Sequence, residues 1–405
     1  MKVLLSAFAC DPSKGSEPNH GWHWAIGLAE KGFEVHCFTR EEGKTAIENN
    51  TIPANLHFYY HALPLGLEKL YYSSTAGMYL YYLLWQWTFA GKAKRLHKKI
   101  GFSIAHHVTW GSTQMGSFLY KIGVPYIFGP AGGGQQAPVN FKKYFLDHWS
   151  REEKREKIAR LLVKYSPSCK KMLNNAAAVL VVNEETRQLV QSLGAKNISV
   201  VFDSGLPGNF FPETFVPKQL QPDQLKLIWV GRFMPRKGIL LMLDVMKELR
   251  DHPGITLTVV GDGEMREIFL ATLKQYDLEK TVLWKGSVPF SEVRGYYASH
   301  DVFLYTSLRD SGGMQLFEAN AFGLPVITNH LHGPGAIVND ETGIRCACDT
   351  PEIAIAGLKN AILHVYNNPA AVKAMSVAAH AFALKQNWPG KIDSIVNQYY
   401  PLQKN

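Results

Sequence analysis

One pattern runs through this chain twice and limits its fold more than any other feature. Short, continuous apolar segments alternate with segments of helical period, and glycine and proline punctuate the joints. "KVLLSAFAC", "EVHCFT", "LHFYY", "IAHHV", "PYIF", "AAVLVV" and "ISVVF" make the first series; "LKLIWVG", "ITLTVVG", "TVLWKG", "DVFLYT" and "PVIT" make the second. Strands without polar alternation are buried on both faces, and helices between them imply parallel crossovers, so each series predicts a parallel sheet covered by helices. The predicted class is α/β, with two doubly wound domains. A length of 405 residues fits two cores better than one. Between the series, "PGNFFPETFVPKQLQPDQ" holds four prolines and no clean period, which reads as a linker. The expected boundaries are 1–207, a linker at 208–224, and 225–386. Ligands of such sheets sit beyond the strands' carboxyl ends, and with two domains the cleft between them is the expected site.

Composition narrows the partners. The 46% hydrophobic and 19% charged content is ordinary for a soluble protein, but the formal charge of +9 calls for an anion. Nucleic acid, an acidic membrane surface and a phosphorylated ligand all qualify; without zinc-finger spacing or an RRM-like aromatic signature, nucleic acid is not expected. Five scattered cysteines fit a reducing cytoplasm, and Cys346-Ala-Cys348 lacks a second pair at metal spacing. "MKVLLSAFAC" imitates a short signal peptide, yet its apolar run is brief and a turn follows at once, so it reads as a first strand. Leu70 to Gly91 contains no charged residue and is followed by "KAKRLHKK". Ser73, Ser74, Thr75, Gln86 and the tyrosines argue against a span. A buried helix is expected, with an aromatic face and cations that touch an anionic membrane.

Three loops of the second half fall at predicted strand ends. "VGRFMPRKG" places Arg232, Arg236 and Lys237 before a helix, suiting either a diphosphate or a plain basic turn. "VVGDGE" has glycines that admit close approach, and Asp262 and Glu264 read as helix caps rather than metal ligands. In "LRDSGGMQLFEANAFGLPVI", Gly312 and Gly313 free the backbone, and the helix entered at Met314 offers unpaired N–H groups. Glu318 either complements the helix dipole, for about 0.3–1 kcal/mol, or accepts hydrogen bonds from ribose hydroxyls. Asp310 is placed for hydroxyls at the other end of the same ligand. In the first half, "KGSEPNHGW" and "GPAGGGQQAP" follow strands, and neither matches G-x-G-x-x-G, which weakens a nicotinamide site. His106 and His107 end a strand.

These segments, with "VLWKGSVPFSEV" and "DETG", resemble in order and spacing the family 4 retaining glycosyltransferases of the GT-B fold. The resemblance covers most of 225–385 and is looser over 1–205. It implies two Rossmann-like domains facing a central cleft, with a terminal helix at 387–405 crossing back to the first. It also implies a nucleotide-sugar donor, most commonly a UDP-sugar, a glycan acceptor on a lipid carrier, cell-surface polysaccharide synthesis, and no metal or other cofactor. The enzyme would be cytoplasmic and peripheral to the inner face of the plasma membrane. Asp310 and Glu318 match the two acids of the family's Glu-x7-Glu motif, Asp replacing the first Glu. By resemblance Glu318 holds the ribose, Asp310 faces the donor sugar, and Arg232 and Lys237 neutralise the diphosphate. Gly15, Ser16, Gly133, Gly231, Gly263, Gly286, Gly313, Met314, Gln315 and Leu316 complete the implied donor site. Many members carry a histidine after the strand that here reads "PYIF"; this chain has Gly129-Pro130-Ala131. His107 and the backbone of Gly132 to Gly134 are the expected substitutes. A non-catalytic nucleotide-sugar-binding or scaffold protein is the alternative.

Overall fold

Seven strands build the first sheet of the computed structural model, which describes residues 1–15 and 17–400. They are β1 (Lys2–Ser6), β2 (Glu34–Thr39), β3 (Leu56–Tyr60), β4 (Ile104–His107), β5 (Tyr126–Ala131), β6 (Ala178–Val181) and β7 (Ile198–Val200). All pair in parallel, in the order β3-β2-β1-β4-β5-β6-β7. The order reverses beside β1, and such a switch point opens a crevice at the strands' carboxyl ends. One face is covered by the helix Glu17–Glu30 and by Trp388–Tyr399, whose Trp388, Ile392 and Ile395 join Trp24 and Leu28 in one core. The other face is covered by the helix Thr75–Ile100. Ser74 caps its first turn by accepting from Gly77 N, and Gly101 ends it in the left-handed conformation. Tyr81, Tyr82, Trp85 and Phe89 are buried against the sheet, while Trp87 is 58% exposed. The charge-free run is therefore half of a core layer, and among the described residues no helix is long and apolar enough to cross a membrane.

The second sheet has six parallel strands: β8 (Leu225–Val230), β9 (Ile255–Val260), β10 (Val282–Trp284), β11 (Val302–Tyr305), β12 (Val326–Asn329) and β13 (Gly343–Cys346). Their order is β10-β9-β8-β11-β12-β13, so its switch point lies between β8 and β11. Both sheets are doubly wound, as the two apolar series predict.

The chain divides into two compact units: Met1–Gly134, Lys157–Ser204 and the chain from Trp388 make the first, Gln135–Glu156 and Gly205–Asn387 the second. This differs from the expected boundaries in two places. Residues 135–156 belong to the second unit because Phe141, Tyr144, Phe145 and Trp149 are buried in its core. Tyr144 also donates to Asp244 at 2.7 Å. The proline-rich segment 208–224 is likewise part of that unit and not a free linker. Phe210 packs against Phe290 and Phe322, and Phe215 stacks on His380 with 3.8 Å between centroids. Period was a poor guide here, because isolated aromatic anchors rather than a repeating face hold this segment.

Lys218, in that segment, is buried and donates to the carbonyls of Tyr297 and Ala298 at 2.9 and 2.8 Å, capping the helix Phe290–Ser299. Burial pushes its ammonium down to about 8. Lys218→Met should leave two terminal carbonyls without their donor and cost roughly 1–3 kcal/mol. A lowered urea midpoint with unchanged slope is the expected result.

Candidate active site

The loops after β8 and β11 are bound to each other at the second unit's switch point. Gly238 sits at φ 66°, where a Cβ would lie 2.1 Å from Thr306 O, so only glycine lets the β8 loop close onto β11. Leu308 N and Ser307 Oγ donate to Arg236 O at 2.8 and 3.1 Å, and Thr306 Oγ1 donates to Gly238 O at 3.0 Å. Inside this clasp Lys237 is buried, its ammonium on Asp310 Oδ2 and 2.9 Å from Tyr305 OH. Tyr305 OH donates to the same Asp310 oxygen at 2.6 Å, and Arg236 lies 3.5 Å from the other. Burial alone would push the Asp310 carboxyl up; the charges of Lys237 and Arg236 and the two hydrogen bonds outweigh it and hold the group below its usual range. Burial pulls Lys237 down, against the pull of Asp310. Arg232, by contrast, is exposed and forms no ion pair among the described residues. It is the cation of this loop left open to an anionic ligand.

Glu318 lies on the helix Met314–Ala321, which begins after Gly313 at the end of the same β11 loop. It is 5% exposed, and Tyr297 OH donates to its Oε2 at 2.9 Å. Burial pushes its carboxyl up to about 7, and the Tyr297 hydrogen bond only partly opposes this. Asp310 is thus held ionised while Glu318 shares a proton near neutral pH. Leu316 is buried, whereas Met314 and Gln315 are half-buried at the helix entrance. Gly323 stops the helix at φ 66°, as its position predicts.

Gly231, Gly263 and Gly286 follow β8, β9 and β10 on the same end of the sheet. At Gly261, a Cβ would lie 1.8 Å from Gly231 O, so two adjacent loops meet backbone to backbone. Asp262 is occupied locally: it accepts from Gly263 N at 2.7 Å and pairs with Arg266. It is a turn brace, in keeping with the capping role predicted for it. The second unit therefore collects every expected donor residue of its own half.

Three expected donor residues belong to the first unit. Gly15 is exposed in the loop after β1, Ser16 lies outside the described residues, and Gly133 sits at φ 133° after β5. His107 is a correction. It has no solvent exposure, its Nδ1 is 2.9 Å from Ser6 Oγ and its Nε2 3.3 Å from Tyr82 OH, and its ring stacks on Phe128. Burial lowers it to about 4. A neutral imidazole with both nitrogens engaged inside the core is scaffold, not the missing catalytic group. Periodicity did not mark Tyr305 or Tyr297, whose hydroxyls hold the two acids, nor Glu17. Glu17 accepts from Trp110 N in the loop after β4, and burial pushes its carboxyl up to about 7.

Two cavities mark the first unit. One of about 170 Å³ opens at the ends of β1 and β2 among Asp11, Lys14, Arg40, Glu42 and Tyr71. The other, about 810 Å³, is a groove beside the helix Thr75–Ile100. Leu63, Pro64 and Trp87 form its apolar wall, and Lys92, Lys94 and Arg95 line it with charge.

Residues 210–381 match the family model of the glycosyl transferases group 1. Glycogen synthase of Mycobacterium tuberculosis is 27% identical over 200 residues, covering 49% of this chain and 46% of that protein. The catalytic-type relative from Homo sapiens, a phosphatidylinositol N-acetylglucosaminyltransferase by name, is 27% identical over 202 residues, covering 48% of this chain and 41% of that one. The match thus spans less than half the length of these curated relatives. Among solved structures, Anabaena HepE in complex with UDP and glucose aligns over 98% of both chains, with a TM-score of 0.61 at 14% identity. That likeness shows a shared two-domain GT-B fold.

The elevated Glu318 carboxyl sets a pH dependence. Its folded value of about 7 exceeds the ordinary 4.5, so the native state binds the proton more tightly than the unfolded chain. Its contribution is present at low pH and is lost as pH rises through that window, by roughly 3 kcal/mol. Glu318→Gln should flatten this decline, read as the urea midpoint of both proteins from pH 4.5 to 7.5.

Proposed function

We propose that this chain, which carries a glycosyl transferases group 1 domain in residues 210–381, is a retaining glycosyltransferase. It moves a sugar from a UDP-sugar to a hydroxyl of a lipid-linked glycan in the assembly of a cell-surface polysaccharide. The observation that carries the reading is the second unit's switch point. There an exposed Arg232, a Lys237–Tyr305–Asp310 cluster and a buried Glu318 share loops that fall inside the family match. Glu318 accepts hydrogen bonds from the ribose hydroxyls, and Asp310 Oδ1 faces the donor sugar. Arg232 and Lys237 neutralise the diphosphate, and the uridine assignment draws support from the UDP bound to HepE.

The chemistry then needs few groups. The bond from the anomeric carbon to the diphosphate oxygen breaks, and the acceptor oxygen bonds to that carbon from the same face. The acceptor's proton passes to the departing diphosphate, so configuration is retained without a protein base. Fixed cations beside the leaving group supply the main electrostatic stabilisation. No divalent ion is assigned a part, because Asp262, the one acid of the β9 loop suited to it, is tied to Arg266.

The apolar, cation-lined groove of the first unit suits an acceptor presented at an anionic membrane surface. The name of the human relative, a phosphatidylinositol N-acetylglucosaminyltransferase, is consistent with a lipid acceptor. Five free, buried cysteines support a cytoplasmic location, at the inner face of the membrane.

Calorimetric titration with UDP, GDP, ADP and NAD tests the donor. UDP alone should bind, and Glu318→Ala should lose it. Arg232→Ala should keep its urea midpoint while turnover falls by about 10²–10³-fold. Nucleotide binding with neither transfer nor slow donor hydrolysis would instead make the protein a non-catalytic sugar-nucleotide binder. Co-sedimentation with anionic vesicles tests the membrane contact. Neutralising Lys92, Lys94, Arg95, Lys98 and Lys99 should release the protein, and unchanged sedimentation would remove that element of the proposal.

A further inference from the structure

At the amino-terminal edge of the first sheet, two histidines and a glutamate converge although they are scattered in sequence. Glu34 opens β2, His36 follows on the same face, and His57 on β3 is the direct register partner of His36. Side chains two apart on a strand share a face, and register partners stand side by side, so the sheet places three donor groups together. The two imidazoles lie 4.9 Å apart, centroid to centroid, and one donor atom from each of the three residues falls within 4.8 Å of the others.

We propose that Glu34, His36 and His57 form a binding site for a divalent transition metal of the zinc type. His36 Nε2 lies 3.1 Å from Glu34 Oε1. Two ligands at about 2.0–2.1 Å from one ion, set at the tetrahedral angle, stand roughly 3.4 Å apart, so little movement admits the metal. The other nitrogen of His36 is already held, with Nδ1 3.0 Å from Tyr59 OH. Such an outer partner fixes the ring and its tautomer and leaves the facing nitrogen free to ligate. The ring of Phe102 backs His36 at 5.2 Å, giving the site an apolar wall. Two imidazoles and one carboxylate favour zinc, cobalt or copper over magnesium or calcium, which prefer oxygen alone. Three protein ligands leave a fourth position for water.

Lys2 is the competitor. Its ammonium lies 3.6 Å from Glu34 Oε1, and its side chain is 43% exposed, so it can withdraw into solvent when a metal arrives. The ion would tie the edge strand β3 to β2, at the end of the sheet opposite the loops that follow β1 and β2. The inference therefore does not rest on the proposed transfer reaction.

The test is titration of the tag-free full chain with Co²⁺, read by visible absorption. One equivalent should give tetrahedral cobalt bands that Zn²⁺ abolishes by displacement. His57→Ala, a change at an exposed position, should weaken binding at least tenfold, and Glu34→Gln should do likewise. Tyr59→Phe should weaken it by about 10–100-fold through the lost outer hydrogen bond. Zn²⁺ should raise the thermal midpoint of the wild type and leave that of His57→Ala unmoved, while UDP binding stays equal in all variants. Absence of cobalt bands, or an identical titration in His57→Ala and Glu34→Gln, would overturn the assignment.

Discussion

The buried contact between Lys237 and Asp310 is what the second unit's ligand face depends on. It joins the loop after β8 to the loop after β11 across the switch point, where no strand pairing runs between the loops themselves. Neither ion reaches much solvent, and each would carry a large desolvation cost alone. Tyr305 makes the arrangement tolerable by accepting from the ammonium and donating to the carboxylate, so the charges sit in a closed network. An apolar pair of equal size could hold the loops together as well. It could not leave a fixed cation beside the position where an anion is to be received.

That network also assigns different work to the three cations of "VGRFMPRKG". Lys237 and Arg236 point at Asp310, and Arg232 alone faces solvent. Phe233 separates them: it is fully buried, edge-on to Trp229 and Phe269, and fixes the loop between its exposed and buried cations. Alternation of inward and outward side chains in a short loop thus divides a basic cluster into a positioning part and a binding part.

Much of this was legible in the residues. Both parallel sheets follow from continuous apolar strands, and the loops at their ends follow from the topology such strands require. Asp310, Glu318, Arg232 and Lys237 stood out because charged residues flanking glycines at strand ends have few structural reasons to be there. The failures have a common cause. Residues 135–156 and 208–224 are held by single aromatic anchors, Phe141, Trp149 and Phe210 among them, which carry no period. His107 looked accessible at a strand's end, but Ser6 and Tyr82, distant in sequence, close over it. His36 and His57 become neighbours only through strand register, which sequence spacing does not express.

The two acids of the opening β11 loop and its helix show how environment divides one functional group into two. Asp310 stands among cations and a phenol and stays ionised; Glu318 has one tyrosine hydroxyl and an otherwise apolar setting, and retains a proton near pH 7. A carboxyl poised in this way gains little by ionising in the empty site. Ribose hydroxyls that donate to it would stabilise the carboxylate and release the proton, so nucleotide binding should be coupled to proton loss at Glu318 and not at Asp310. The desolvation that makes Glu318 costly in the free protein is then what makes it selective, since only a ligand bearing donors at that position relieves it.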